Sequence, residues 1–462
     1  MPIKQMTFHG QPPWRLAAWL ALILQLALPF QVVATTLGIC EPDGLPNVQR
    51  DTLLTGLPIL VGERPGSTSV TVAVVIKVGS TFDRVGKAGL ARLTAECIRS
   101  GGGGYDAERV RIELEEAEAQ LEVDVNWDRT CILLTGPARN AAVLIDLLGR
   151  LITLADFAKR DFAEARFKPF QEAAMAAAQA AQTEEAAADA LFFQTLYDAH
   201  PYHHSLLGTP ESIAAITQAD VADFYRRHWL PNNAAVVIVG DVTAAQVRSV
   251  TRRAFGGWAK GKLAPATFLP PNPPEQLRLV LQPGTGKWVH VRLGGLLPEA
   301  TPESRAAWLV LAELIKRRVQ PWTLELTHRR LPDSPWMLSS KLTTETAVAD
   351  IDVVLQTLDK LRDAPPSQEE VQAARTAIEA VLRGHTPNNR DIAQQLVWLE
   401  TYGLSPTIEA DLPARLAAVT PADCQALASQ MLGRGRLVVL QGGSTTLQTA
   451  LAKFGNVELV QP

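Results

Sequence analysis

The hydrophobic pattern from Val70 to Val78 predicts a strand, and an apolar stripe of period 3.6 from Lys87 to Ile98 predicts a helix. A glycine run at 101–104 breaks the pattern. A helix over 105–119, two strands around 121–126 and 129–136, and a helix over 139–154 are expected next, followed by a long Ala-rich helical region at 157–197. Strands joined by hairpins, with helices grouped between them, predict an α+β fold in which a sheet packs against helices.

The pattern then recurs. "VAVVIKVGSTFDRVGKAGLARLTAECI" (72–98) and "VHVRLGGLLPEATPESRAAWLVLAELI" (289–315) both read as an alternating strand, a turn and an apolar-striped helix. Five positions match, among them Val72 with Val289 and Glu96 with Glu313. A second pair, 216–241 and 419–443, opens each time on Thr-x-Ala-Asp, a helix N-cap signature. Each copy continues as a helix, breaks at Pro-Asn-Asn or Gly-Arg-Gly, and ends in a β-branched strand closed by glycine. Two modules in the same order indicate a duplicated chain. "KLAPATFLPPNPPEQ" (262–276), with five prolines, suits a stiff extended linker. The expected domains are therefore 46–261 and 277–462.

Composition narrows the class. With 47% hydrophobic and 20% charged residues the chain has ample material for two cores, and a net charge of −4 offers no basic field for nucleic acid. Lys4 and Arg15 precede an apolar run, Leu16–Phe30, and a Val32-x-Ala34 site, the pattern of a secretory signal peptide over 1–34 with a short lead at 35–45. Export to the periplasm or cell envelope is expected. The alternative is an uncleaved anchor, with membrane association through the N-terminus. Cys40 resembles a lipoprotein site, but Ile39 stands where a small residue is required. Cys97, Cys131 and Cys424 lie far apart in apolar runs, which favours buried thiols.

The stretches "VGSTFDRVGKAGLARLTAECIRSG" and "HPYHHSLLGTPESIAAITQADVADFYRRHWLPNNAAVVIVGD" (200–241), with the duplicated layout, resemble the M16 peptidase family of pitrilysin, insulinase and mitochondrial processing peptidase. The resemblance implies two homologous α+β domains that join two more to enclose a peptide chamber. Active members carry HxxEH, in which two imidazoles one helical turn apart hold Zn²⁺ and the Glu activates a water. Here Arg92 and Glu96 fall at the His positions and Ala95 at the general-base position; Glu172 falls near the place of the third ligand. One expectation is that Arg92 replaces the metal, lying between Glu96 and Glu172. The other is that Arg92, Glu96 and Arg99 form a solvated stripe. The family's substrate-binding Arg and Tyr, seven residues apart, correspond without gaps to Thr327 and Ser334, or after a shift of two to Arg329 and Trp336.

Other patterns carry less. His200, His203 and His204 cluster in "HPYHH", but Pro201 prevents a regular helix through them, so a structural loop is expected over a metal site. "PGTGKW" (283–288) fails as a phosphate loop because Leu281 and Trp288 replace the first glycine and the Ser or Thr. "SGGGGYD" (100–106) suits a flexible connector better than a substrate cradle. The combined expectation is a catalytically inactive subunit without a cofactor of its own. It would pair with an HxxEH-bearing M16 subunit that holds the zinc, and the two would act on peptide substrates. The rivals are an assembly protein without a protease partner and an active zinc peptidase with atypical ligands.

Overall fold

The structure, a computed structural model, describes residues 46–461 apart from 158–161, 163–165, 264, 266, 299–300, 302, 328, 330–333 and 385–386. The expected signal peptide (1–34), the lead at 35–45 and Cys40 lie outside the described residues.

Strands β1 (Val48–Thr52), β2 (Pro58–Glu63), β3 (Ser69–Ile76), β4 (Gln120–Val125), β5 (Thr130–Pro137) and β6 (Ala234–Gly240) form one sheet in the order β1-β2-β6-β3-β5-β4. Strands β7 (Arg278–Gln282), β8 (Trp288–Leu296), β9 (Thr323–Leu326), β10 (Pro335–Thr343), β11 (Leu437–Gly442) and β12 (Val457–Leu459) form the other in the order β12-β7-β11-β8-β10-β9. The inner five strands of each sheet agree in order and direction. β2 and β6 are parallel, as are β7 and β11, while every pairing onward to β4 or β9 is antiparallel. The duplication seen in the hydrophobic pattern is therefore a duplication of topology. Only the outermost strand differs, β1 running antiparallel to β2 and β12 parallel to β7.

Local chemistry sets the element ends. Thr217 and Thr420 close capping boxes with Asp220 and Asp423, each Thr N–H donating to the Asp carboxylate at 2.8 Å. The Ala-rich region divides into helices Lys168–Ala180 and Glu184–Tyr197, because Thr183 caps the second. The expected strand at 70–78 runs from Ser69 to Ile76, and the helix expected over 105–119 spans Ala107–Glu116 behind its cap, Asp106. Cys97, Cys131 and Cys424 are free and buried.

Each sheet has two buried faces. One face of the first sheet, through Val72, Val74, Ile132 and Ile238, packs on helices of its own half, including Ala141–Thr153. Its other face, through Ala73, Val75, Leu133, Val237 and Val239, is covered by Ile392, Leu396 and Leu399 of helix Asn389–Tyr402, which belongs to the second half. The exchange is reciprocal. Leu191, Phe192 and Leu196 of helix Glu184–Tyr197 cover Val280, Met337 and Val439 of the second sheet. A Cβ on Gly294 of β8 would fall 2.7 Å from the Phe192 ring, so the bare glycine backbone is what admits the helix.

Polar groups fasten both crossings. Glu400, 7% exposed, accepts from Lys77 Nζ at 2.7 Å and Arg50 Nη1 at 2.5 Å. Asn389 Nδ2 donates to Ser69 O at 2.6 Å. In the other crossing Arg292, 2% exposed, donates to Asp189 at 2.5 Å and to Glu185 O at 3.2 Å. Burial alone would raise the Glu400 pKa, but the Arg50 and Lys77 hydrogen bonds outweigh it and hold the carboxyl below its usual range.

Because each half completes the core of the other, urea should unfold the chain in one transition rather than two. Glu400→Gln should lower the unfolding free energy by about 1–3 kcal/mol at pH 7, and the urea midpoint with it. The folded carboxyl titrates below its ordinary value of 4.5, so the contribution is full above that pH and fades below it. The gap between wild type and variant should therefore close in acid, as read from tryptophan fluorescence across a pH series.

Candidate functional site

The helix predicted over 87–98 is shorter, Leu90–Glu96, and continues as a 3₁₀ turn through Ser100. Its start is set by Gly89, left-handed at φ 93°, and by Asp83, which accepts from the N–H groups of Gly89 at 2.8 Å and Ala91 at 2.7 Å. The residue is only half-buried, but its carboxyl group is enclosed, and burial pushes the pKa up to about 7 against the pull of those hydrogen bonds. Leu90, Ala91, Leu93, Thr94 and Ala95 are buried among β4, β5 and helices Lys168–Ala180 and Gln218–His228.

Arg92 and Glu96 lie on the remaining face, with side chains 16% and 14% exposed. Arg92 Nη2 is 3.8 Å from Glu96 Oε1, and Arg99 Nε donates to Glu96 Oε2 at 3.0 Å. The result is an Arg-Glu-Arg stripe at i, i+4 and i+7. Glu172 does not join it. Its helix packs against Leu90–Glu96, but Glu172 points outward, exposed, and makes no ion pair among the described residues. The expected bridge from Arg92 to Glu172 is thus replaced by the shorter reach to Glu96 on the same helix.

The donor set does not suit Zn²⁺. A guanidinium stays protonated and offers only N–H groups, the Glu96 carboxylate is occupied by two arginines, and the Ala95 methyl, at 0% exposure, stands where a general base would need access to water. Among the described residues no group of three His, Cys, Asp or Glu side chains could hold a metal ion.

The "HPYHH" loop forms a 3₁₀ turn, Pro201–His203. His200 Nδ1 accepts from the Tyr202 N–H at 3.2 Å, and burial beside Tyr197, Tyr202 and Phe268 pushes its pKa down to about 4. His204 Nε2 lies 3.0 Å from Ser80 O and Nδ1 3.1 Å from Ser205 O. These imidazoles tie the loop to backbone.

Arg329 and Trp336 also turn inward. Trp336 sits in β10 at 1% exposure, within the core of the second half, and presents no surface to a peptide. Arg329, 4% exposed, lies over the Trp127 ring at 3.3 Å and near Tyr202 at 5.0 Å. Trp127 and Arg329 belong to the β4–β5 and β9–β10 hairpins, so equivalent hairpins of the two halves meet here. Beside them Asp128 accepts from Tyr202 of the first half at 2.7 Å and Tyr402 of the second at 3.1 Å. The sequence reading missed this junction, because an isolated Trp-Asp pair in a turn does not signal what it will meet.

The glycine run is a packed turn. Gly101 has φ 94°, and its Cβ would meet Tyr105 O at 2.3 Å. Gly103 N–H donates to Leu154 O at 2.9 Å, and Gly103 O accepts from Arg150 Nη1 at 3.1 Å. Neither a loose connector nor an open cradle describes it.

Residues 59–210 match the insulinase (peptidase family M16) model and residues 215–378 the peptidase M16 inactive domain model. The chain belongs to the M16 peptidase family. Zinc protease PqqE of Helicobacter pylori is 24% identical over 215 residues, covering 46% of this chain and 47% of its own length. The chain thus spans about half the length of the first curated relatives it matches. The fold is similar to that of an M16 inactive domain from Pseudomonas fluorescens, with TM-score 0.77 and 18% identity over 86% of this chain and 99% of that one. It is also similar to the periplasmic protease PqqL of Escherichia coli, with TM-score 0.73 and 15% identity over 90% of this chain and 51% of PqqL.

Asp83→Asn should destabilise the protein by about 1 kcal/mol in acid, where the folded carboxyl is protonated, since its hydroxyl oxygen can still accept from an N–H and the amide NH2 that replaces it cannot. The folded pKa of about 7 exceeds the ordinary 3.8, so the wild-type contribution is full below 3.8 and is lost as pH rises through 7. The asparagine variant does not titrate. Its deficit, measured by urea unfolding, should therefore shrink as pH rises from 4 and turn into a surplus by pH 8, because the wild type alone loses stability over that range.

Proposed function

We propose that this chain is a non-catalytic M16 subunit that pairs with a separate zinc-bearing HxxEH chain to enclose a peptide-processing chamber. The observation behind the reading is the composition of one helix. Arg92, Ala95 and Glu96 occupy the two ligand positions and the base position, and the two charged residues pair with each other. Without a metal ligand or a water-activating base, the work left to this surface is binding. It would supply part of the chamber wall and contacts to the peptide, while the partner supplies Zn²⁺ and the hydrolytic water.

The two-domain length fits half of such a chamber. The alignment to about half of PqqL supports a need for a second pair of domains. Export to the periplasm or envelope rests on the N-terminal apolar pattern and on PqqL being a periplasmic protease. Among the described residues no helix is long and apolar enough to cross a membrane.

The test is to recover the tagged chain from its native host and assay the eluate for bound zinc and for cleavage of a mixed peptide library. An HxxEH chain should copurify, carrying the zinc and the activity, and the tagged chain purified alone should show neither. Stoichiometric zinc and cleavage by the isolated chain would refute the reading.

A further inference from the structure

The altered helix presents a positive charge whose hydrogen-bonding capacity is unused among the described residues. The Arg92 contact to Glu96, at 3.8 Å, is an ion pair but too long for a hydrogen bond, and Arg92 makes none among the described residues. Glu96 is meanwhile bonded by Arg99 at 3.0 Å. Two guanidinium groups thus share one carboxylate, and the face carries a net positive charge. It is also partly withdrawn from water, the Arg92 and Arg99 side chains being 16% and 26% exposed. A partly desolvated guanidinium whose donors meet no hydrogen-bond acceptor among the described residues gains most from a second anionic acceptor. Carboxylate is the best match, because its two oxygens fit the planar fork and the bonds are charge-assisted. Glu172, the candidate from the sequence pattern, stays outside the stripe and does not bond Arg92.

We propose that the Arg92–Glu96–Arg99 face binds a carboxylate of the peptide, so that this subunit selects acidic segments. The inference rests on the chamber-subunit reading and gives it a substrate class. Arg92 is the contact residue; Glu96 competes with the ligand for it and keeps the two arginines from repelling each other in the empty state. The carboxylate can come from an Asp or Glu side chain or from a peptide C-terminus, since both offer the same pair of oxygens.

The test uses the full chain, together with any partner that copurifies, and peptides of equal length carrying an uncharged fluorophore without a carboxylate, read by fluorescence anisotropy at low salt. One peptide carries central Asp and Glu with an amidated C-terminus. The second has Asn and Gln in their place, also amidated, and the third is the second with a free C-terminus. The acidic or the free-terminus peptide should bind about 10-fold more tightly than the neutral one, and which of them does so identifies the source of the carboxylate. Arg92→Gln should abolish the preference while the far-UV spectrum and melting temperature stay close to wild type. Glu96→Gln should increase it several-fold, which a purely structural role for the stripe would not produce. Equal binding of all three peptides, or a preference that survives Arg92→Gln, would overturn the proposal while leaving the chamber-subunit reading standing. Failure of every peptide to bind would overturn both.

Discussion

The structure depends on an exchange of helices. Each sheet has one face buried by its own half and one that only the other half can cover. Residues such as Val75 and Val237 on one side, and Val280 and Val439 on the other, would be open to water without the crossing helices. At roughly 25 cal/mol per Å² of apolar surface, two such faces are too costly to leave exposed. The interlock also sets the junction at which Asp128 joins Tyr202 to Tyr402 and Arg329 lies over Trp127. The Asp128–Tyr402 and Arg329–Trp127 contacts both cross from one half to the other.

Much of the local architecture was legible in the sequence, because it depends on periodicity and caps. The Thr217 and Thr420 boxes, the strands in the repeated modules and the short helix above Gly101 all follow from neighbouring residues. The exchange was not legible. The stripe Ile392, Leu396, Leu399 says that a helix is buried, but the same stripe would fit either sheet. Gly294, which admits Phe192, reads as an ordinary strand glycine until the partner helix is in place.

At the site, identity was easier to read than geometry. The residues at positions 92, 95 and 96 rule the chemistry in or out by their functional groups, and packing does not alter that. Spacing along the chain, by contrast, placed Glu172 near Arg92 without regard to which face of its helix it occupies, and that face is exposed. The two-residue shift that brought Trp336 into register also placed it in "PWML", a run buried throughout. A continuous apolar run is a core signal, and it outweighs a spacing match at one position.

The crossing helices bear on the order in which the protein can be made. Synthesis proceeds from the N-terminus at about 5–20 residues per second, and β6 completes the first sheet at Gly240, but the helix that covers its second face does not begin until Asn389. During that interval the nascent sheet has an uncovered apolar face. The first half can assemble its strands early, yet it can reach its native core only after most of the second half has been synthesised. The molecule is thus two copies of one fold in sequence but a single unit in its folding, and neither copy is a natural place to cut it.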